Sequence, residues 1–203
     1  MAAMQSGFAD PVGEAQAVFR AILAALSRPG RIRELPGRLT PPKPLTPELA
    51  ALALALADPD APLWLDGALA REPAIAEYLR FQSGAPIVSK PSGAAFALVR
   101  RPEDLPATEL FALGSQDYPD RSTTIVLAVD SLSEGEEFAV AGPGVKGEAR
   151  FSAGPLPADF AERVQANHAL FPRGVDWLLA GPGRVLGLPR SSRLSRVSVR
   201  EAA

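Results

Sequence analysis

Four stretches of the chain carry apolar residues at the spacing typical of helices. The first begins after Asp10, a good N-cap residue, with Pro11 at the first helical position, and Pro29-Gly30 ends it. Further helices are predicted over 46–57, 72–81 and 157–170. We expect the helix at 46–57, which is apolar nearly all round, to be heavily buried. The apolar stripe of the first helix consists of Ala15, Val18, Phe19, Ile22 and Leu26.

Short apolar runs predict the strands, and the strongest is 123–129 (TTIVLAV), which is β-branched as in strands buried on both faces. The runs at 85–88 and 94–99 flank a turn at 90–93, which predicts that these two strands pair. Other strands are predicted over 63–65, 138–141, 149–152, 175–179, 184–186 and 194–199.

Helices and strands mix along the chain without strict alternation, and neither a repeat nor a Gly/Ser linker interrupts it. We therefore predict one α/β domain over residues 1–203, with a mixed sheet flanked by helices on both faces in three layers. The chain has 21 prolines in 203 residues, about twice the average usage. Five of them lie in 36–47, which predicts a stiff, extended connection.

Composition excludes several classes of protein. The net charge of −2 argues against a nucleic-acid-coating protein, which needs a basic excess. The most apolar run, 45–57, is far shorter than the ~20 residues of a membrane span, and the first residues do not read as a secretory signal. We therefore expect a soluble cytoplasmic protein with neither nucleic acid nor membrane as a partner.

The candidate chemistry is sparse. The chain has no cysteine, which excludes disulfides, thiolate nucleophiles and cysteine-ligated metals. His168 is the single histidine; no H-x-x-x-H or G-x-S-x-G accompanies it, so we predict a half-exposed residue near a helix end rather than a metal ligand or triad member. The three lysines, Lys43, Lys90 and Lys146, lie in the proline-rich connection or in turns, and none is placed for a Schiff base. We therefore predict no catalytic residue, no metal and no cofactor in this chain.

One glycine-rich loop and two basic segments could hold an anion. Residues 142–147 (GPGVKG) follow a strand, but a strand rather than a helix comes next, so a tight turn is favoured over a phosphate cradle. The segment 184–200 holds five arginines and no acid, and Arg28, Arg31, Arg33 and Arg38 form a second cluster beside Glu34. These arginines indicate either a solvated or partner-binding surface or a site for phosphate or carboxylate groups.

Several strings in order along the chain resemble the PhnH family, the H subunit of the bacterial carbon–phosphorus lyase complex. The most specific are FPRGVDWLL (171–179) and GLPRSS (187–192). Departures are small: Gly13 and Glu14 in the first helix, and Ser191-Ser192 where threonines are common. The remaining matching strings lie in 7–32, 56–65, 79–88, 114–129, 142–147 and 167–194.

This resemblance implies a role in phosphonate catabolism. The family's core complex contains two each of the G, H, I and J subunits. With the L subunit, the G, H and I group is associated with replacing the adenine of ATP by an alkylphosphonate, which gives ribose 1-alkylphosphonate 5-triphosphate; the I subunit is thought to carry the chemistry. The H subunit is implied to be a homodimer with a fold like that of pyridoxal-phosphate transferases, without the cofactor.

Three hypotheses stay open: a substrate-handling or architectural subunit, a stand-alone phosphonate enzyme with Asp117 as its base, and a dimeric scaffold that never meets nucleotide. Both substrates of the implied reaction, ATP and alkylphosphonate, are anionic, so arginines on glycine- and proline-shaped loops are the candidates for contact. Two aspartates that precede the buried strand 123–129 are candidates because open α/β sheets bind ligands at strand ends. The candidate site residues are Arg28, Arg31, Asp117, Asp120, Arg173 and Arg190.

Overall fold

A computed structural model describes residues 6–37 and 39–197. The helices are α1 Gly13–Ser27, α2 Pro47–Leu56, α3 Gly67–Ala70, α4 Pro73–Ser83 and α5 Phe160–His168, and 3₁₀ turns cover Pro91–Gly93, Pro102–Asp104 and Thr108–Leu110. The strands are β1 Arg33–Glu34, β2 Leu63–Leu65, β3 Ile87–Val88, β4 Phe96–Val99, β5 Thr124–Ala128, β6 Ser131–Ala141, β7 Ala149–Gly154, β8 Asp176–Gly181, β9 Arg184–Leu188 and β10 Arg193–Arg196.

Two helix boundaries follow the capping signals in the sequence, whereas α1 begins at Gly13, two residues after the predicted first helical position Pro11. The Thr46 hydroxyl accepts a hydrogen bond from the Leu49 N–H, and α2 begins at Pro47 as predicted. Gly84 ends α4 in the left-handed conformation (φ 73°) that favours glycine. The α1 prediction is also wrong at Phe19, which is 43% exposed. The face of α1 that packs on the core is narrower than the predicted apolar stripe and is centred on Val18 and Ile22.

Seven strands form the large sheet in the order β1-β9-β8-β5-β4-β2-β3. The strands β3, β2, β4, β5 and β8 are parallel to one another, and β9 and β1 add antiparallel pairs. The mixed sheet predicted from the sequence is confirmed. The predicted pairing of 85–88 with 94–99 is wrong, because β3 and β4 run in the same direction and lie on either side of β2.

The central strands are buried on both faces, and their side chains alternate between two cores. Leu98, Val126 and Leu178 point to the side covered by α1, α2 and α4. Ile125 and Trp177 point to the other side, which is covered by α5 and a second, three-stranded sheet in the order β10-β6-β7. Helices therefore flank the large sheet on both faces, as predicted, and the small sheet shares the second face with α5.

Three predicted elements have different lengths in the structure. The strand predicted over 138–141 begins at Ser131, and the helix predicted over 157–170 begins only at Phe160 and ends at His168. The last strand ends at Arg196, while 198–199 of its predicted range lie outside the described residues, as do Arg38 and Arg200 of the two basic segments. Among residues 6–37 and 39–197, none of the helices combines the length and the apolar composition that a membrane span requires.

Candidate functional site

Four of the six candidate residues lie where the parallel strands begin, an end that we call the amino-terminal edge of the large sheet. Asp117 and Asp120 are in the loop before β5, Arg173 is in the turn before β8, and Arg190 follows β9, which runs antiparallel to β8. The loops are joined directly, since the Gly174 N–H donates to the Leu113 carbonyl at 2.8 Å.

Arg28 and Arg31 reach the same end of the molecule by another route. The last turns of α1 lie against Gly187, near the end of β9. Because β9 ends at the amino-terminal edge, the segment that follows α1 begins at this edge as well. There Ser27 and Pro29 contact Gly144, and Gly142 of the same turn contacts Ser191. The 142–147 turn thus stands between Arg28 and Arg31 on one side and the Arg190 loop on the other.

Arg190 forms the best-defined charge interaction at this edge. Its Nη2 lies 2.6 Å from Asp176 Oδ2 and its Nε 3.1 Å from Oδ1, a fork-to-fork ion pair. The Arg190 N–H also donates to Asp176 Oδ1, and Nη1 donates to the Pro119 carbonyl. The side chains are only 15% and 19% exposed. These contacts neutralise the Arg190 charge within the protein and tie together the loops at 114–122 and 189–192.

The other candidate arginines have more freedom to meet an external group. Arg28 and Arg31 are exposed, and neither forms an ion pair with any residue that the structure describes. Arg173 is half-buried, and its Nε is buried without a hydrogen-bond partner in the described part of the chain. A guanidinium that lacks an internal carboxylate can still bond a phosphate or phosphonate oxygen through its accessible N–H groups.

The loop 114–121 contains two side chains that the sequence reasoning did not single out. The Arg121 guanidinium lies 4.3 Å from the centre of the Tyr118 ring, a cation–π contact. Both side chains line an open groove of 390 Å³ together with residues 112–115. Gly114 (φ 70°) closes the loop against the Pro119 backbone, where a Cβ would come within 2.8 Å of a carbonyl oxygen. The signal in the sequence was the Tyr-Pro-Asp-Arg string after Gly114.

Potential catalytic groups are not paired with one another in the described residues. Asp117 and Asp120 are exposed and have no ion-pair partner among residues 6–37 and 39–197. His168 is the last residue of α5 and half-buried, as predicted, and its Nδ1 makes no hydrogen bond with the described residues. Lys43, Lys90 and Lys146 are all exposed. No group of three or more potential metal ligands occurs in the part of the chain that the structure describes.

The opposite, carboxyl-terminal edge holds a charged residue that sequence reasoning missed. In the large sheet, β3 lies on one side of β2 and β4 lies on the other. The carboxyl ends of β2 and β4 therefore form a topological switch point, which is the usual ligand crevice of such sheets. Asp66 lies there, fully buried. Its carboxylate accepts hydrogen bonds from the N–H groups of Leu69 (2.9 Å), Arg100 (2.7 Å) and Arg101 (3.1 Å). The protein's own carboxylate therefore occupies this crevice.

Comparisons with known proteins match nearly the whole chain. Residues 6–195 match the family model described as "Bacterial phosphonate metabolism protein (PhnH)". The chain is 41% identical over 189 residues to the alpha-D-ribose 1-methylphosphonate 5-triphosphate synthase subunit PhnH of Rhizobium meliloti (strain 1021), a match that covers 93% of this chain and 94% of that protein. It is 28% identical over 181 residues to the putative C-P lyase subunit protein HtxG of Stutzerimonas stutzeri, covering 89% and 85% of the two chains.

Proposed function

The chain belongs to the PhnH family of bacterial phosphonate metabolism proteins, and from this premise we propose that it is a subunit of the carbon–phosphorus lyase core complex that handles substrate or supports the assembly while another subunit carries out the chemistry. The observation that carries the proposal is the 41% identity, over 93% of this chain, to a protein named as a subunit of the methylphosphonate triphosphate synthase. The complex would form ribose 1-alkylphosphonate 5-triphosphate from ATP and an alkylphosphonate and release adenine.

The geometry of the charged residues supports a subunit role. The two most buried acidic groups described above, Asp66 and Asp176, accept hydrogen bonds from neighbouring loops of the same chain. Groups used in this way fix the shape of the surface, because their oxygens are already bonded within the chain. We propose in addition that the subunit is a cytoplasmic homodimer that associates with the G, I and J subunits.

Reconstitution tests the proposed role. A mixture of the purified subunits, ATP and methylphosphonate should release adenine only when this chain is present, and the chain alone should release none. The measurement is adenine formation followed by chromatography, with heat-unfolded chain added back as the control. Full activity without the chain would contradict the proposal, and turnover by the purified chain alone would favour the stand-alone enzyme with Asp117 as its base.

Arg173 provides the test of substrate contact. In the assembled complex, Arg173→Ala should weaken the binding of ATP or methylphosphonate by at least about tenfold, since a hydrogen bond to a charged group contributes about 1.5–3 kcal/mol. Titration calorimetry measures the affinity. The matched control is Arg80→Ala, which removes an exposed arginine from α4, a helix on one face of the sheet. Equal affinities for parent and Arg173→Ala would favour a scaffold with no ligand at this position.

A further inference from the structure

A second groove, of 380 Å³, lies between the 3₁₀ turn at Thr108–Leu110 and α5. Its volume falls within the range of protein binding sites, about 300–1,000 Å³. The groove shares Leu113 with the groove of the 114–121 loop but is otherwise lined by different residues. None of the six candidate residues lines it, so it has no part in the proposed substrate contacts.

The floor of the groove is apolar, and two exposed apolar side chains adjoin its lining residues along the chain. Leu113, Ala166 and Leu170 line the groove itself. Leu110, directly after the lining residue Glu109, is 54% exposed, and Phe171, directly after Leu170, is 59% exposed. Exposed apolar side chains next to a groove are typical of surfaces that bind another protein.

The rim of the groove is acidic. Glu109, Asp159 and Glu162 line it, and its one basic residue, Arg163, is held internally by Asp159 Oδ1 at 2.7 Å and by the Pro106 carbonyl at 2.8 Å. The hydrogen bond from Arg163 holds the pKa of the Asp159 carboxyl below its usual value, so this group is charged at neutral pH.

The rim charge is only partly neutralised. Glu162 has a cation nearby, Arg196 at 3.5 Å. Glu109 forms no ion pair with any residue that the structure describes. The rim therefore keeps a negative charge that a basic side chain of a partner would complement.

We propose that this groove binds a short segment of another polypeptide that presents an apolar side chain next to a lysine or arginine. The apolar side chain packs on Leu113 and Ala166, and the basic group pairs with Glu109. The proposal rests on the proposed function, since the partner is another subunit of the same complex.

Binding of the purified G, I and J subunits to the immobilised full chain tests this surface. Two variants change the groove: Ala166→Phe, which fills it, and Glu109→Lys, which reverses the rim charge. Their matched controls lie on α4, which covers the opposite face of the large sheet: Ala74→Phe and Glu77→Lys change an exposed alanine and an exposed glutamate in the same way. Thermal unfolding verifies that all four variants keep the parent's stability.

We expect each groove variant to weaken binding of one subunit by about thirtyfold, as for a residue at the centre of an interface. The α4 controls should remain within about twofold of the parent. The affinity of the parent should also fall as salt is raised from 0.05 to about 0.5 M, and Glu109→Lys should reduce this dependence because it removes the charge that salt screens.

Three other outcomes would overturn the proposal and are distinct from one another. If the parent binds none of the three subunits, the proposed function itself fails. If the parent binds, the groove variants bind equally well and the sedimentation coefficient of the chain alone is unchanged, only the groove assignment fails. If the groove variants bind the subunits normally but change the sedimentation coefficient of the chain alone, the groove is a contact between two copies of this chain rather than a site for another subunit.

Discussion

Arg190→Ala is expected to lower the free energy of unfolding by about 3 kcal/mol, the cost typical of removing one partner from a buried ion pair. The substitution removes three hydrogen bonds, two to the Asp176 carboxylate and one to the Pro119 carbonyl. The Asp176 side chain, which is 19% exposed in the parent protein, then lacks its cation. Arg190→Lys should recover only a small part of the loss, since an ammonium group cannot form the two parallel hydrogen bonds of a guanidinium.

Urea unfolding followed by circular dichroism measures the Arg190 effect. For a chain of this size, about 3 kcal/mol corresponds to a fall in melting temperature of about 6–12 °C. Arg193→Ala is the matched control, because Arg193 is exposed, lies three residues away and forms no ion pair with a described residue; its effect should stay within about 0.5 kcal/mol. Unchanged stability of Arg190→Ala, accompanied by weaker anion binding, would instead make Arg190 a ligand-binding residue.

A double substitution separates the charge from the packing at the same place. Arg190→Met combined with Asp176→Leu should be more stable than Arg190→Ala alone, because no uncompensated charge remains. If the double variant is as unstable as the single one, packing around the loops rather than the ion pair holds this edge.

Asp66→Ala is expected to destabilise the protein by about 3 kcal/mol. The carboxylate caps α3 through the Leu69 N–H and also bonds the N–H groups of Arg100 and Arg101, so its loss removes the cap and leaves two further donors unsatisfied. An N-cap contributes about 0.5–2 kcal/mol, and each buried donor left without a partner costs about 1–3 kcal/mol. Asp66→Asn retains one acceptor oxygen and should lose about half as much.

Hydrogen exchange provides a local readout for the Asp66 prediction. The Arg100 and Arg101 amides should exchange faster in Asp66→Ala than the stability change alone explains. Asp58→Ala is the control: within residues 6–37 and 39–197 this exposed aspartate bonds one nearby N–H, that of Asp60 at 2.9 Å, and its removal should cost less than about 1 kcal/mol. Unaltered exchange at 100–101 together with parental stability would show that Asp66 is not the group that holds β2 and β4 together at this edge.

Local patterns predicted much of the secondary structure. The β5 strand lies within its predicted range, and α2 and the β8–β9 hairpin differ from theirs by about one or two residues at each end. In each case the signal is local: β-branched runs, a threonine-proline start, or a tight Gly-Pro-Gly turn. The order of β3, β2 and β4 was not predictable in this way, because the pattern of each strand contains nothing that selects its neighbour.

The location of the candidate residues was predicted in part, but the strand-end argument for Asp117 and Asp120 fails, because both precede β5, at the opposite edge from the usual ligand crevice. Proline, glycine and arginine strings pointed to the loops that meet at the amino-terminal edge, and the structure brings those loops together. The same strings could not show that Arg190 is neutralised by Asp176, that Arg121 lies over Tyr118, or that Asp66 occupies the switch point. Each of these depends on which side chains face one another after folding.

The sequence by itself determined the type of most elements, the scarcity of potential catalytic groups and the family to which the chain belongs. Only the tertiary structure decided which charges are available to a partner or substrate. Arg190 bonds Asp176, 14 residues away, and Pro119, 71 residues away. A charge is satisfied or left free by neighbours in space, and those neighbours are set by the packing of the whole sheet rather than by any local pattern.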